Sequence, residues 1–270
     1  MAGTPPPIRP LSSGGRNDDR SPEEEKCGSI FERLREMNAI FVTGTGTDVG
    51  KTHVCGLLLD FLRKKGIAAG YQKWVATGPE FPPADLQACL RMADLPLIPE
   101  LVSSQVVYHF ALPASPHLAA EQEGRVVESE LIRKKFQEML ARQELLIVEG
   151  VGGIMVPLNR DLLLVDLLRE LQIPTLVVAK SGLGTINHTL LTLEGLRHRG
   201  IPVLGVVCSD AASEEDDLLV EDNMRTIAGM GQVRVLGRLR HCLDPSRARS
   251  DFVSVGRVIV EAFGGAERVV

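Results

Sequence analysis

Apolar residues fall in short unbroken runs that alternate with longer segments of helical spacing. Ala39-Ile40-Phe41-Val42 reads as a short buried strand, and His53–Leu62 as the helix that follows it. A second strand is expected over 66–73, giving way to a turn over 73–78. Residues 79–127 are less regular. Pro82-Pro83-Ala84-Asp85 is suited to cap a helix running through Arg91-Met92, Val106–Phe110 fits a strand, and 112–120 reads as a turn into a short helix. An amphipathic helix is expected over 128–142. Leu145–Val148 has no polar alternation, as in a strand buried on both faces. Further strands at 174–179, 202–208 and 233–236 alternate with helices near 161–171, 185–199, 214–229 and 251–262. Such alternation predicts one α/β domain over 38–270, a mostly parallel sheet with helices on both faces.

The first 37 residues do not share this pattern. Residues 1–20, with Pro5-Pro6-Pro7 and Ser12-Ser13-Gly14-Gly15, have too little apolar content to offset the entropy of ordering, and a disordered tail is expected. Ser21-Pro22-Glu23-Glu24-Glu25 has the composition of a helix start, so 21–37 is expected to form an appended helix.

At 270 residues the chain can build one large domain, or two at most. Its balance, 35 Asp+Glu against 30 Lys+Arg, gives no reason to expect nucleic acid or an anionic membrane as partner. No apolar stretch approaches the roughly 20 residues of a membrane span. Five scattered cysteines without a Cys-x-x-Cys pair fit a reducing compartment, and a cytoplasmic location is expected.

The chemistry centres on Gly44-Thr45-Gly46-Thr47-Asp48-Val49-Gly50-Lys51-Thr52, between the first strand and the first helix. Small residues let backbone N–H groups converge on a phosphate, and the helix N-terminus adds positive potential. In such a loop Lys51 reaches the terminal phosphates and the Thr52 hydroxyl ligates Mg²⁺. The first glycine stands one position earlier than the common spacing requires, so the loop is a variant. Lys73 and Thr77 lie at the expected carboxyl end of the second strand, where ligands bind in open parallel sheets. Glu149 ends a buried strand and is followed by glycines, a place where nucleotide enzymes hold a metal or a water. The turn Lys180–His188 opens a helix and can receive an anion. Cys208-Ser209-Asp210 is compatible both with contact to a nucleotide base and with a plain surface turn.

Five segments occur in an order that resembles the dethiobiotin synthetase family: Gly-Thr-x-Thr-x-Val-Gly-Lys-Thr (44–52), Lys-x-Val-x-Thr-Gly (73–78), Ser-Pro-His-x-Ala-Ala-x-x-x-Gly (115–124), Val-Glu-Gly-x-Gly-Gly (148–153) and Gly-Leu-Gly-Thr-Ile-Asn-His-Thr-Leu-Leu-Thr (182–192). The resemblance covers about residues 38–240. It implies an ATP-dependent ligase of biotin synthesis that acts on 7,8-diaminopelargonic acid and CO₂. The amine takes up CO₂ as a carbamate, ATP phosphorylates it to a carbamic–phosphoric anhydride, and the second amine closes the ureido ring. It further implies that Thr47, Asp48, Val49, Gly50, Lys51, Thr52, Ser209 and Gly237 bind the nucleotide. Lys51, Lys73 and Thr77 are implied as catalytic, and Thr52, Asp85 and Glu149 as Mg²⁺ ligands. Thr77 also holds the carbamate region. Leu183, Gly184 and Asn187 are implied to receive the substrate carboxylate from the partner subunit of a homodimer.

The chain departs from the family at Trp74, where proline is usual, at Ser209, where asparagine often reads adenine, and at Arg240, where proline is usual. These departures bear on the substrate turn and on base preference. Three competing readings are a ParA/MinD-like nucleotide switch, another amide-forming ATPase, and an inactive homologue. The first usually carries a lysine at the place of Gly46, the second an added glutaminase domain, and the third would not need the intact Lys51, Thr52, Lys73 and Glu149.

Overall fold

The computed structural model describes residues 38–210 and 215–262. The expected tail and appended helix lie outside the described residues, as does the first residue of the helix expected over 214–229. Seven parallel strands form one sheet: β1 Ala39–Gly44, β2 Ala69–Thr77, β3 Val106–Phe110, β4 Leu145–Glu149, β5 Thr175–Lys180, β6 Val203–Ser209 and β7 Val235–Leu239. Their order is β3-β2-β4-β1-β5-β6-β7. β1 is central, and the chain proceeds to one side through β2 and β3 and to the other through β5, β6 and β7. The reversal lies beside β1, the place where parallel sheets open a crevice at their carboxyl edge.

Helices cover both faces. In chain order they are α1 Lys51–Lys64, α2 Ala84–Met92, α3 Val102–Gln105, α4 Pro116–Gln122, α5 Ser129–Leu140, α6 Leu164–Leu171, α7 Thr185–His198, α8 Asp217–Met230 and α9 Pro245–Ala262. Ile40 and Val42 of β1 join the core beneath α1, α2 and α9, while Ala39 and Phe41 join the core beneath α5, α6 and α7. This strict alternation explains the unbroken apolar run: both faces of β1 are buried from Ala39 to Val42, and all four of those residues are apolar. No helix among the described residues is long and apolar enough to cross a membrane.

Three expected boundaries move. β2 continues to Thr77, so Lys73 lies within the strand rather than at a turn. Pairing explains this, because β3 extends the ladder on the outer side as far as Thr77 opposite Phe110. The helix expected at 161–171 starts at Leu164, since an isolated bridge between Pro157 and Leu163 holds the preceding loop. The last helix begins at Pro245 and is longer than the apolar spacing suggested. Trp74 does not enter the substrate turn. Its ring is buried between Phe41, at 5.0 Å between centroids, and Phe136 of α5, at 6.2 Å.

Candidate active site

The loop after β1 has the geometry its glycines permit. Gly50 caps α1 with φ +95°, and Asp48 is also left-handed at φ 54°. A Cβ on Gly44 would stand 2.6 Å from Val49 Cγ2 and 2.7 Å from the Gly46 carbonyl oxygen. The loop therefore closes only around a glycine. No side chain caps α1, and its first turn contains no acidic residue, so its N–H donors and positive potential are left for an anion. The buried Lys51 ammonium donates to the Gly46 carbonyl at 2.8 Å. Burial, and then the neighbouring Lys73, lower its pKa.

The second group comes from β2, β4 and α2. Lys73 and Glu149 are partners in the β2–β4 register. Lys73 Nζ lies 2.7 Å from Glu149 Oε1 and 2.6 Å from Asp85 Oδ2, and it donates to the Gly150 carbonyl at 3.1 Å. Burial alone would lower the Lys73 ammonium, but Glu149 and Asp85 outweigh it and hold the ammonium above the ordinary lysine range. Burial would raise Asp85. The charge of Lys73 and hydrogen bonds from Lys73 and Thr52 overcome this and keep its carboxyl low. The Thr52 hydroxyl donates to Glu149 Oε1 at 2.8 Å and lies 3.3 Å from Asp85 Oδ1. Thr52, Asp85 and Glu149 thus converge as three hard oxygen donors, with two carboxylates and no all-protein cage, which is the donor set a Mg²⁺ sharing its shell with phosphates requires.

An open cleft of about 500 Å³ unites these residues. Thr47, Asp48, Val49, Gly50, Lys51 and Thr52 line one side, with Lys73, Thr77, Asp85 and Glu149 opposite. Gly150 follows Glu149, and a Cβ there would meet the Phe41 ring at 2.7 Å. The core ring of Phe41 thus dictates the glycine that follows Glu149. Ser209, at the end of β6, abuts the loop, since a Cβ on Gly50 would come 2.6 Å from its Oγ.

Other expected residues stand elsewhere. Gly237 does not line the cleft: it lies within β7, and a Cβ there would meet Val255 Cγ2 of α9 at 2.7 Å. Its smallness is required by helix packing. Leu183, Gly184 and Asn187 are exposed and do not line this cleft, and Leu183 is 91 % accessible. Arg240 pairs with Asp217 at 3.0 Å, while Arg238 beside it grips both Asp210, at 2.8 Å, and Asp217, at 2.6 Å.

Sequence reasoning missed Tyr71. Its hydroxyl donates to Glu149 Oε2 at 2.8 Å, and both side chains are buried. Burial and then Glu149 push its phenol well up, so the proton stays on the donor. The available signal was the two-residue period of a strand, which puts Tyr71 on the face of Lys73.

The profile of an AAA domain family matches residues 38–247. An ATP-dependent dethiobiotin synthetase from Brachyspira hyodysenteriae is 36% identical over 206 residues, 74% of this chain and 90% of its own length. Another from Paramagnetospirillum magneticum is 41% identical over 205 residues, covering 76% and 88%. A third, from Methanocaldococcus jannaschii, is 36% identical over 203 residues, covering 73% and 92%. Among solved structures, the ATP complex of a Cyanothece McdA variant superposes with a TM-score of 0.51 over 84% of this chain and 96% of its own, at 13% identity, a likeness of fold alone. With the phosphate loop, Lys73 and Glu149 gathered in one cleft and these relatives aligned over most of their length, the chain belongs to the family of ATP-dependent dethiobiotin synthetases.

Proposed function

We propose that the cleft closes the ureido ring of dethiobiotin from 7,8-diaminopelargonic acid, CO₂ and ATP. The observation that supports this most directly is the meeting of Lys51, Lys73, Thr52, Asp85 and Glu149 around one open volume. Phosphoryl transfer demands positioning and charge neutralisation more than covalent help from the protein. Lys51 leaves the Gly46 carbonyl to meet the terminal phosphate, and the loop N–H groups and the start of α1 hold the remaining phosphate charge. Lys73, anchored between two carboxylates, presents its ammonium to the carbamate and to the phosphoryl group moving onto it. The Thr77 hydroxyl, at the end of the same strand, orients the carbamate. Thr52, Asp85 and Glu149 would hold Mg²⁺, which would supply charge neutralisation on the phosphates. The second amine then attacks the anhydride carbon, and phosphate leaves.

The reading extends to a homodimer in the cytoplasm. The turn of Leu183, Gly184 and Asn187 is exposed and separate from this chain's own cleft, as a segment that receives the substrate carboxylate in a partner's cleft would be. The unpaired thiols of Cys55, Cys89 and Cys208 fit a reducing compartment.

The test is phosphate release with ATP, Mg²⁺ and bicarbonate, with and without the diamine, and product analysis by mass. Release that depends on the diamine and yields dethiobiotin is expected. Slow hydrolysis indifferent to the diamine would overturn the proposal. Light scattering on the purified chain is expected to give the mass of two copies, and a monomer that retains full turnover would remove the role of the Leu183 turn.

A further inference from the structure

We infer that Tyr71 is a positioning residue that sets the metal preference of the site, by holding Glu149 to a one-oxygen presentation and so favouring Mg²⁺ over Ca²⁺. The inference rests on the metal reading given above and adds a residue to it.

The argument begins with the ladder. In the β2–β4 register Lys73 stands directly opposite Glu149, and Tyr71 stands opposite Ile147, two residues earlier. Tyr71 is therefore the diagonal neighbour of Glu149 on the same face, a separation that an aromatic side chain spans. The two oxygens of Glu149 are consequently gripped in different ways. Oε1 receives Lys73 at 2.7 Å and the Thr52 hydroxyl at 2.8 Å, on the side of the cleft. Oε2 receives the Tyr71 hydroxyl at 2.8 Å. Glu149 is 0 % exposed and Tyr71 1 %, so no solvent is at hand to take over from the phenol.

This matters for the kind of ion accepted. Ca²⁺ takes carboxylates with one or both oxygens in a wide and flexible shell, whereas Mg²⁺ requires a compact octahedron with few protein ligands. A second bond from Glu149 to a larger ion requires Oε2 to turn toward the cleft and to give up its only buried donor. Breaking that hydrogen bond is costly, because the buried Tyr71 hydroxyl is left without a partner. Lys73 holds the other oxygen in place, so the carboxylate cannot rotate as a unit without losing that contact too. Tyr71 thereby acts against the two-oxygen mode and leaves the one-oxygen mode undisturbed.

The experiment compares Mg²⁺ and Ca²⁺ titrated into the full chain with a non-hydrolysable ATP analogue, for wild type and Tyr71→Phe, with calorimetry as the readout. Partners of metal ligands typically change metal affinity by about 10–100-fold when removed. In Y71F we expect tighter Ca²⁺ binding and little change in Mg²⁺ binding, so that the Mg²⁺/Ca²⁺ affinity ratio falls at least about tenfold. Equal weakening of both ions, or no change in either, would overturn the inference. Both ions are measured on one preparation, so a partly unfolded variant lowers both signals and leaves the ratio readable. A wild type whose nucleotide binding ignores Mg²⁺ would instead refute the metal reading, and a wild type with a Mg²⁺ preference that Y71F retains would refute only the role of Tyr71.

Discussion

Replacing Lys73 with methionine removes the one cation between two carboxylates. Its side chain is 4% exposed and that of Glu149 1%, while that of Asp85 is 40%. Without the ammonium, Glu149 keeps only the Thr52 and Tyr71 hydroxyls, and Asp85 turns toward solvent. Removing one partner of a buried ion pair typically costs about 3–5 kcal/mol, because the other charge is left uncompensated. That is a large share of the roughly 5–15 kcal/mol by which a domain is stable. Glu149→Gln is milder: Lys73 keeps Asp85 at 2.6 Å, and the Tyr71 hydroxyl still finds an amide oxygen. About 1–2 kcal/mol is expected there. The double variant removes both buried charges and should be more stable than K73M alone. Urea unfolding of the three variants, with the slope m unchanged, measures this directly. A K73M cost below about 1 kcal/mol, or costs that simply add in the double variant, would refute the claim that Glu149 depends on Lys73 for its charge.

Lys51→Ala should lower turnover by at least about 100-fold, as expected when a group facing transition-state charge is lost, and should cost only about 1 kcal/mol of stability for its bond to Gly46; kcat and a thermal melt check both. Gly237→Ala should destabilise by about 1–3 kcal/mol through its clash with Val255, leave the KM for ATP unchanged, and be partly rescued by Val255→Ala; a raised KM would return Gly237 to the nucleotide site. Because Lys73 is held above the ordinary lysine range, its stabilising contribution is complete below the unfolded value of about 10.4 and is lost as pH rises beyond it. Unfolding measured from pH 9 to 11.5 should therefore narrow the gap between wild type and K73M above about pH 10.4, and a constant gap between them would contradict this.

The fold was legible wherever one physical effect dominated. β1 and β4 are buried on both faces and announce themselves as apolar runs, and Gly44 and Gly50 are required by the geometry of the loop. Gly237 was ambiguous because a glycine in a strand has two common causes, approach of a ligand and approach of a helix, and the position of Val255 shows the second at work. Of the residues proposed to hold the metal, Asp85 was the least anchored in the sequence, since its place depends on how α2 packs rather than on strand register. The Leu183 turn was read correctly as a helix start, but its distance from the cleft is a property of the sheet order.

The end of β2 shows why the remainder was hidden. A polar–apolar alternation is a strand signal only when one face meets water, and here neither does. From 71 to 77 the strand alternates between two buried tasks. Tyr71 and Lys73 reach Glu149, and Lys73, Val75 and Thr77 line the cleft. Gln72 and Trp74 turn the other way, the first donating to the Lys135 carbonyl of α5 at 3.0 Å and the second packing on Phe136. The departure at Trp74 therefore falls on the face that does no chemistry. Tryptophan there fills the space between Phe41 and α5. A change that looks like a threat to the substrate turn is, by the parity of the strand, a change in the core, and the ammonium one residue earlier keeps its place between Glu149 and Asp85.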